Sequence, residues 1–232
     1  MYKHIFFDLD HTLWDFERAS AETLVELFSH FDIEKQYPTV QFDQFLQAYI
    51  PINYALWDKY SAGKIDQKTL RHERFRLTLA QLNIGATSSF IDQMASFYLE
   101  NCPLKPYTRP FAHELLQYLT QEGYALHILT NGFPEVQHIK LESARLTHFF
   151  DYIITSAEAQ AQKPHKAIFE YALRRTGAQV KQSLMIGDSW EADIVGAQNV
   201  QMDHVFYNPE QIPHNRPVHQ EVACLSHLIS SL

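Results

Sequence analysis

The stretch HIFFDLDHTL, residues 4–13, decides how we expect the chain to fold. Its first four residues are mostly apolar, which is typical of a strand that is buried on both faces of a parallel sheet. Asp8 and Asp10 follow at alternate positions, so in extended chain both carboxylates can face one site. In open α/β sheets, ligands bind beyond the carboxyl ends of the strands. The stretch therefore predicts a functional site at the end of the first strand.

Four more short apolar runs predict further strands, at residues 125–129, 152–155, 183–186 and 204–207. Pro134, Pro164 and Ser189 stand where residues of these types start helices. The helices predicted after them, together with one near the end of the chain, cover residues 135–146, 165–176, 190–199 and 221–230. Alternating strands and helices predict an α/β fold, with a Rossmann-like parallel sheet that is covered by helices on both faces.

More than a hundred residues separate the first strand from the second, and they carry helical rather than strand patterning. We predict a helical insertion over residues 16–101, while residues 1–15 and 102–232 form the α/β core. Within the insertion, Pro51 is expected to begin one helix and Asp66 to cap the next.

Composition excludes several classes of function. The formal net charge of the 232-residue chain is -8 with its 13 histidines neutral, whereas binding a nucleic-acid polymer needs concentrated Lys and Arg. The two cysteines, Cys102 and Cys224, form no metal or redox motif. No apolar run is long enough for a signal peptide or a membrane span. We expect a cytosolic protein that acts on a small molecule and binds neither a nucleic-acid polymer nor a membrane; its oligomeric state is not indicated.

Residues that suit a phosphate group follow the second and third predicted strands. Thr130, Asn131 and Gly132 offer a hydroxyl, an amide side chain and flexible backbone N–H groups. Lys163 supplies a compact cation for a phosphoryl oxygen. An ordinary strand-to-helix turn uses the same residue types, and an isolated lysine usually lies at the surface, so each feature alone is weak evidence.

Carboxylates at the end of the fourth predicted strand suit a metal ion. Asp188 and Asp193 add oxygen ligands for a hard cation such as Mg2+, which the neighbouring carboxylates of Asp8 and Asp10 also require. Two plainer interpretations stay open here. The first Asp pair is also compatible with a turn or a chance pair, and Asp193 with a favourable charge in the first turn of a helix.

Taken in order along the chain, these residues resemble the motifs of the haloacid dehalogenase (HAD) superfamily of phosphohydrolases. The residues that carry the resemblance are Asp8, Asp10, Thr130, Lys163, Asp188 and Asp193. The resemblance implies the HAD fold, with the helical insertion as a cap of the superfamily's first class. It also implies a phosphatase, because true dehalogenases of the superfamily lack the second aspartate, here Asp10.

The resemblance further implies a role for each motif residue. Asp8 is the nucleophile and a metal ligand, and Asp10 is the general acid and base that also offers its backbone carbonyl to the metal. Thr130 and Lys163 hold the phosphoryl group. Asp188 binds Mg2+ directly or through water. Asp193 orients the metal's water shell or Lys163, with a plain Asp193–Lys163 ion pair as the alternative.

A finer resemblance, to the house-cleaning pyrimidine 5'-nucleotidase subfamily, lies in residues 8–16 and 130–141 and in a pattern within the insertion. That pattern consists of Asn53, Trp57, Gly63 and Arg74. It implies a nucleoside monophosphate as substrate.

Four residues are candidates for contacting the base. Trp57 or Trp14 is expected to stack on the pyrimidine, and Asn53 or Arg74 to contact its polar edges. Packing within the cap or core explains both tryptophans equally well. Two other functions stay open: a sugar-phosphate or phosphoglycolate-type phosphatase with the same catalytic residues, and a catalytically silent module that binds phosphometabolites.

Overall fold

A computed structural model describes residues 1–229 and 231–232. The chain forms two compact units, one comprising Met1–Phe16 and Pro106–Leu232, the other Glu17–Lys105. The divisions expected from the sequence, after residues 15 and 101, lie one and four residues before the observed ones.

The first unit contains a parallel sheet of six strands in the order β3-β2-β1-β4-β5-β6. In chain order the strands are β1 His4–Phe7, β2 Ala125–Thr130, β3 Tyr152–Thr155, β4 Ser183–Gly187, β5 Asp203–Tyr207 and β6 Gln220–Val222. The five predicted strands are confirmed to within one residue at each end. Because β1 pairs with β2 on one side and β4 on the other, its apolar residues lie at the centre of the core.

The second unit is helical. Its helices are α1 Phe16–His30, α2 Ile33–Gln36, α3 Phe42–Ser61, α4 Gln67–Gln81 and α5 Ser88–Asn101. The Asp66 carboxylate accepts the Thr69 N–H at 2.7 Å, which confirms the predicted cap of α4. Buried Phe45, Tyr49 and Phe75 form an aromatic core between α3 and α4.

The prediction that Pro51 begins a helix is wrong, because this proline lies inside α3, which starts nine residues earlier. Proline leaves the carbonyl four residues before it, that of Gln47, without its helical N–H partner. Both residues are exposed, so water can satisfy that carbonyl. Even α3, with 20 residues, lacks the apolar character to span a bilayer, and so does every other helix in the described part of the chain.

Helices α6 to α10 belong to the first unit: Ala112–Gln121, Pro134–Ser143, Ser156–Ala159, Lys166–Thr176 and Val195–Asn199. The helix predicted at 190–199 is present as a π-helical turn, Trp190–Ile194, followed by α10. The prediction of a final helix at 221–230 is wrong. Strand β6 and a short 3-10 helix, Leu225–Leu228, occupy this region, and Ser230 lies outside the described residues.

The imidazole of His127 is buried within the sheet. His127 in β2 lies beside Phe6 and Tyr152, and its Nε2 is 3.1 Å from Nδ1 of His4. Burial, and secondarily His4, lowers the pKa of His127 to about 4. The unfolded chain, in which histidine titrates near its ordinary value, therefore binds more protons than the folded chain between about pH 6.5 and 4. Stability must fall as the pH falls through this window.

We predict that His127→Gln reduces the acid sensitivity of the fold. Between pH 7 and 4.5 the free energy of unfolding of the variant should fall by about 2 kcal/mol less than that of the parent protein. Urea unfolding at both pH values measures this difference. The exposed His227, replaced in the same way, is the control. Equal pH dependence of parent and His127→Gln would contradict the assignment.

Candidate active site

Three adjacent strands bring the predicted site residues to one edge of the sheet. Asp8 follows β1, Thr130 ends β2 and Asp188 follows β4, and these strands are neighbours in the order β2-β1-β4. All three strands are parallel, so their carboxyl ends lie at the same edge.

Lys163 joins parts of this edge that are distant in sequence. Its Nζ donates to Asp8 Oδ1 at 2.6 Å, to Asp193 Oδ1 at 2.5 Å and to the Leu129 carbonyl at 2.7 Å. The residue is only 1 % exposed. An ammonium group has three protons, and here each of them has an acceptor. The lysine is therefore held in one orientation beside the Asp8 carboxylate.

Asn131 positions the main chain of this lysine. Its side-chain N–H group donates to the Lys163 carbonyl at 3.0 Å, and its side-chain oxygen accepts the Lys163 N–H at 2.8 Å. Both ends of the amide are thus engaged. The Asn131 side chain therefore positions Lys163, and phosphate binding by this residue stays a prediction.

The Thr130 hydroxyl retains a proton to donate. The side chain is buried, and its oxygen accepts the Gly132 N–H at 2.9 Å. Among the described residues no acceptor is recorded for the Thr130 O–H itself. Thr130 can therefore offer a hydrogen bond to a ligand at the end of β2.

Thr12 fixes the orientation of Asp188. Its hydroxyl donates to Asp188 Oδ1 at 2.8 Å and accepts the Asp188 backbone N–H at 3.0 Å. This contact was not predicted, although Thr12 lies two residues after Asp10 in the decisive stretch. Its position in the sequence does not show that it reaches across to β4.

Asp193 lies at the same edge, where its carboxylate packs closely against the backbone at the end of β4. Its Oδ2 accepts the Ser189 N–H at 3.0 Å, and its side chain is fully buried. A Cβ atom on Gly187 would lie 2.2 Å from this oxygen. Only glycine at the end of β4 leaves room for the buried carboxylate.

The carboxylates outnumber the buried cation. Burial raises the pKa of Asp8 to about 7, with the Lys163 ammonium opposing this rise and the Asp193 carboxylate adding to it. Burial, with Asp8 nearby, raises the pKa of Asp188 to about 6. Burial alone would lower the pKa of Lys163, but the carboxylates of Asp193 and Asp8 raise it above its ordinary value. One lysine does not neutralise this cluster, so a further positive charge would stabilise it.

The donor set fits a hard divalent cation. Asp8, Asp188 and Asp193 each offer one oxygen within 4.8 Å of the others. Both oxygens of Asp193 already accept hydrogen bonds, whereas Oδ2 of Asp8 and Oδ2 of Asp188 accept none from the described residues. Carboxylate oxygens are the ligands that Mg2+ prefers. The geometry thus favours Asp8 and Asp188 as direct ligands and Asp193 as the residue that orients Lys163.

A second lysine holds Asp10. Nζ of Lys140, on α7, donates to Oδ1 and Oδ2 of Asp10 at 2.6 and 2.8 Å. The side chain of Lys140 is buried, and no prediction from the sequence gave it a role.

Comparison with known proteins agrees with this geometry. The family model of haloacid dehalogenase-like hydrolases matches residues 5–207. The chain belongs to that family.

Two curated relatives and one solved structure match most of the chain. The pyrimidine 5'-nucleotidase PynA of Streptococcus pneumoniae is 32% identical over 91% of this chain and 86% of its own length. The pyrimidine 5'-nucleotidase YjjG of Escherichia coli is 34% identical over 88% of this chain and 85% of its own length. The magnesium-bound structure of the HAD-hydrolase YfnB from Bacillus subtilis has a TM-score of 0.83 and 30% identity, covering 98% of this chain and 96% of that one. The chain is an enzyme of the phosphatase class within the haloacid dehalogenase-like family.

The structure changes the assignment of one candidate for base contact in this hydrolase. Trp14 was proposed as a substrate residue of the cap, but it lies in the first unit and is fully buried, with Nζ of Lys140 4.7 Å from the centre of its ring. A fully buried ring has no free face for a base. Packing, the plainer of the two interpretations, accounts for Trp14.

The other three candidates lie in the helical unit. Trp57 on α3 is half-buried, with its ring edge-on to Tyr60. Asn53 and Arg74 are buried, and the Asn53 Oδ1 and the Arg74 Nε and Nη2 have no hydrogen-bond partner among the described residues. Buried polar groups are normally paired, so these atoms are candidates for contacting a ligand.

We predict that Gly187→Ala destabilises the hydrolase. The added methyl group must displace the buried Asp193 carboxylate, an overpacking that should cost about 1–3 kcal/mol. Thermal and urea unfolding measure the loss. Gly85→Ala is the control, since a Cβ there meets nothing within 4 Å and stability should change by less than about 0.5 kcal/mol. Equal stability of the two variants would show that the close approach at Gly187 is unimportant.

Proposed function

We propose that this protein is a Mg2+-dependent phosphatase that hydrolyses nucleoside 5'-monophosphates, with a preference for pyrimidines, through an aspartyl-phosphate on Asp8. The observation that carries the proposal is the Asp8 carboxylate, with Oδ1 bonded to Lys163 and Oδ2 left unbonded beside Asp188 at the edge of the sheet. A carboxylate fixed in this way is oriented as a nucleophile before substrate arrives.

In the first step an Asp8 oxygen forms a bond to phosphorus while the bond from phosphorus to the leaving oxygen breaks. Asp10, in its protonated form, gives its proton to that leaving oxygen. The Thr130 hydroxyl supplies a donor for a phosphoryl oxygen, and the Lys163 ammonium, whose three protons are already bonded, contributes its positive charge beside Asp8. The alcohol leaves and the phosphoryl group stays on Asp8.

In the second step a water molecule attacks the phosphorus of the aspartyl-phosphate. Asp10, now a carboxylate, takes the proton of this water, and the bond from phosphorus to the Asp8 oxygen breaks. Inorganic phosphate leaves, and both aspartates return to their starting forms. The net reaction is hydrolysis of one phosphate monoester to an alcohol and phosphate.

A magnesium ion would be held by the Asp8 and Asp188 carboxylates and the Asp10 backbone carbonyl. When bound, it would offset the negative charge of the carboxylates and the phosphoryl group. Thr12 keeps Asp188 oriented for this role, and Asp193 keeps Lys163 oriented.

Two observations support a pyrimidine nucleotide as substrate. PynA and YjjG, both pyrimidine 5'-nucleotidases by name, match most of the chain. In addition, Asn53 lies eight residues before the end of α3 and Arg74 seven residues after the start of α4, so a helical hairpin brings them to the same level. Their unpaired atoms, the donors Nε and Nη2 of Arg74 and the acceptor Oδ1 of Asn53, complement a pyrimidine ring that carries both acceptors and an N–H donor.

We predict that Asp8→Asn abolishes phosphate release, by at least about 10³-fold, because an amide cannot serve as the nucleophile. Phosphate release is measured from a panel of nucleoside monophosphates and sugar phosphates, with Mg2+ and with EDTA. Pyrimidine monophosphates with Mg2+ should be the best substrates of the parent enzyme.

The exposed Asp151, changed to Asn, is the matched control and should keep full activity. Substantial turnover by a folded Asp8→Asn variant would contradict the mechanism. Preference for sugar phosphates would support the same catalytic mechanism with a different substrate class. If no substrate released phosphate in a metal-dependent way, the silent binding module would be favoured.

We predict that Arg74→Met raises the KM for pyrimidine monophosphates by about 10–100-fold, the loss expected for a hydrogen-bonded charged group. Turnover of p-nitrophenyl phosphate, which has no base, should change little. Arg76→Met is the control, because Arg76 is exposed on the same helix and pairs with Glu73. Equal losses on both substrates would assign Arg74 to the folding of the helical unit instead.

A further inference from the structure

Lys140 lies in a setting that the proposed steps do not use. Its Nζ bonds both carboxylate oxygens of Asp10, at 2.6 and 2.8 Å, and lies 4.7 Å from the centre of the Trp14 ring. Lys140 is only 6 % exposed and Trp14 is fully buried. A cation enclosed between a carboxylate and an aromatic face is attracted by both.

The partners of Lys140 come from one short loop. The Trp14 N–H donates to the Leu9 carbonyl at 2.8 Å, and the His11 N–H donates to the Trp14 carbonyl at 2.9 Å. Asp10 lies inside this closed loop. Lys140 itself belongs to α7, which follows the Thr130 end of β2. The lysine therefore ties the loop that carries Asp10 to the helix beyond Thr130.

Lys163 does not replace Lys140 in this role. All three protons of the Lys163 ammonium group are taken by Asp8, Asp193 and the Leu129 carbonyl. In the described part of the chain, Lys140 is the lysine that bonds Asp10. The two buried lysines thus serve the two aspartates of the first motif separately.

We propose that Lys140 is a positioning residue that holds the Asp10 carboxyl group in the orientation from which it exchanges protons with the leaving oxygen and with water. The proposal rests on the proposed function. As Asp10 gives its proton to the leaving oxygen, negative charge develops on its carboxylate, and the ammonium of Lys140 is already placed to stabilise that charge. When the attacking water later returns a proton to Asp10, Lys140 keeps the same carboxyl group directed at the site.

A test with two leaving groups separates this role from a structural one. Departure of a nucleoside needs a proton, whereas p-nitrophenolate leaves as a stable anion. We measure kcat/KM, which reports the steps up to and including the first irreversible step. When formation of the aspartyl-phosphate is irreversible, its later hydrolysis does not contribute to kcat/KM. For Lys140→Met we expect a loss of about 10²-fold on a pyrimidine monophosphate and of less than about fivefold on p-nitrophenyl phosphate.

Three further variants sharpen the test. Lys140→Arg, which keeps a cation, should recover most of the loss on the nucleotide. Asp10→Asn should show the same dependence on leaving group, and combining it with Lys140→Met should cost nothing more, because both changes affect one proton transfer. Arg175→Met is the matched control: Arg175 also lies between a carboxylate, Glu158 at 3.5 Å, and an aromatic ring, that of Tyr152, but at the surface.

Equal losses on both substrates, or losses that multiply in the double variant, would overturn the proposal and make Lys140 a structural residue. Circular dichroism and thermal unfolding show whether each variant is folded, and if Lys140→Met does not fold, Lys140→Gln, which also removes the cation, takes its place in the same test. Failure of the proposed function looks different: the parent enzyme would release no phosphate, or Asp8→Asn would keep its activity.

Discussion

The ammonium group of Lys163 joins residues that come from three distant parts of the chain. It bonds Asp8 beyond β1, the Leu129 carbonyl in β2 and Asp193 beyond β4, at 2.5–2.7 Å and away from solvent. A buried ammonium that lost one of these partners would leave an unpaired charge, which costs several kcal/mol. The order of the strands, the glycine at the end of β4 and the Asn131 contacts all serve to bring these partners together. Fold and active site are therefore specified by the same few contacts.

The parts of this arrangement that depend on local pattern could be predicted from the sequence. Apolar runs identified five of the six strands, and the parallel order placed Asp8, Thr130 and Asp188 at one edge. Strand β6, only three residues long, carries no comparable run. The prediction that Pro51 begins a helix was wrong because a proline on the exposed side of a helix is tolerated when water satisfies the freed carbonyl.

Contacts between distant residues could not be predicted in this way. Lys140 pairs with Asp10 and Thr12 with Asp188, but the partners are 130 and 176 residues apart. No short-range sequence pattern could therefore indicate either contact. Asn131 and Trp14 have residue types that suit a ligand, but their residue types did not show that they contact Lys163 and Lys140. Residue type indicates what a side chain can do, whereas burial and partners determine what it does.

The covalent intermediate on Asp8 is the central claim, and chemical trapping tests it most directly. Enzyme that is turning over a pyrimidine monophosphate with Mg2+ is quenched within milliseconds and treated with borohydride, which reduces an aspartyl-phosphate to homoserine. Peptide mass spectrometry then locates the product. We expect homoserine at position 8, only when substrate and Mg2+ are both present, and an unchanged aspartate at position 10. Homoserine at another position, or steady turnover with none at position 8, would contradict the account.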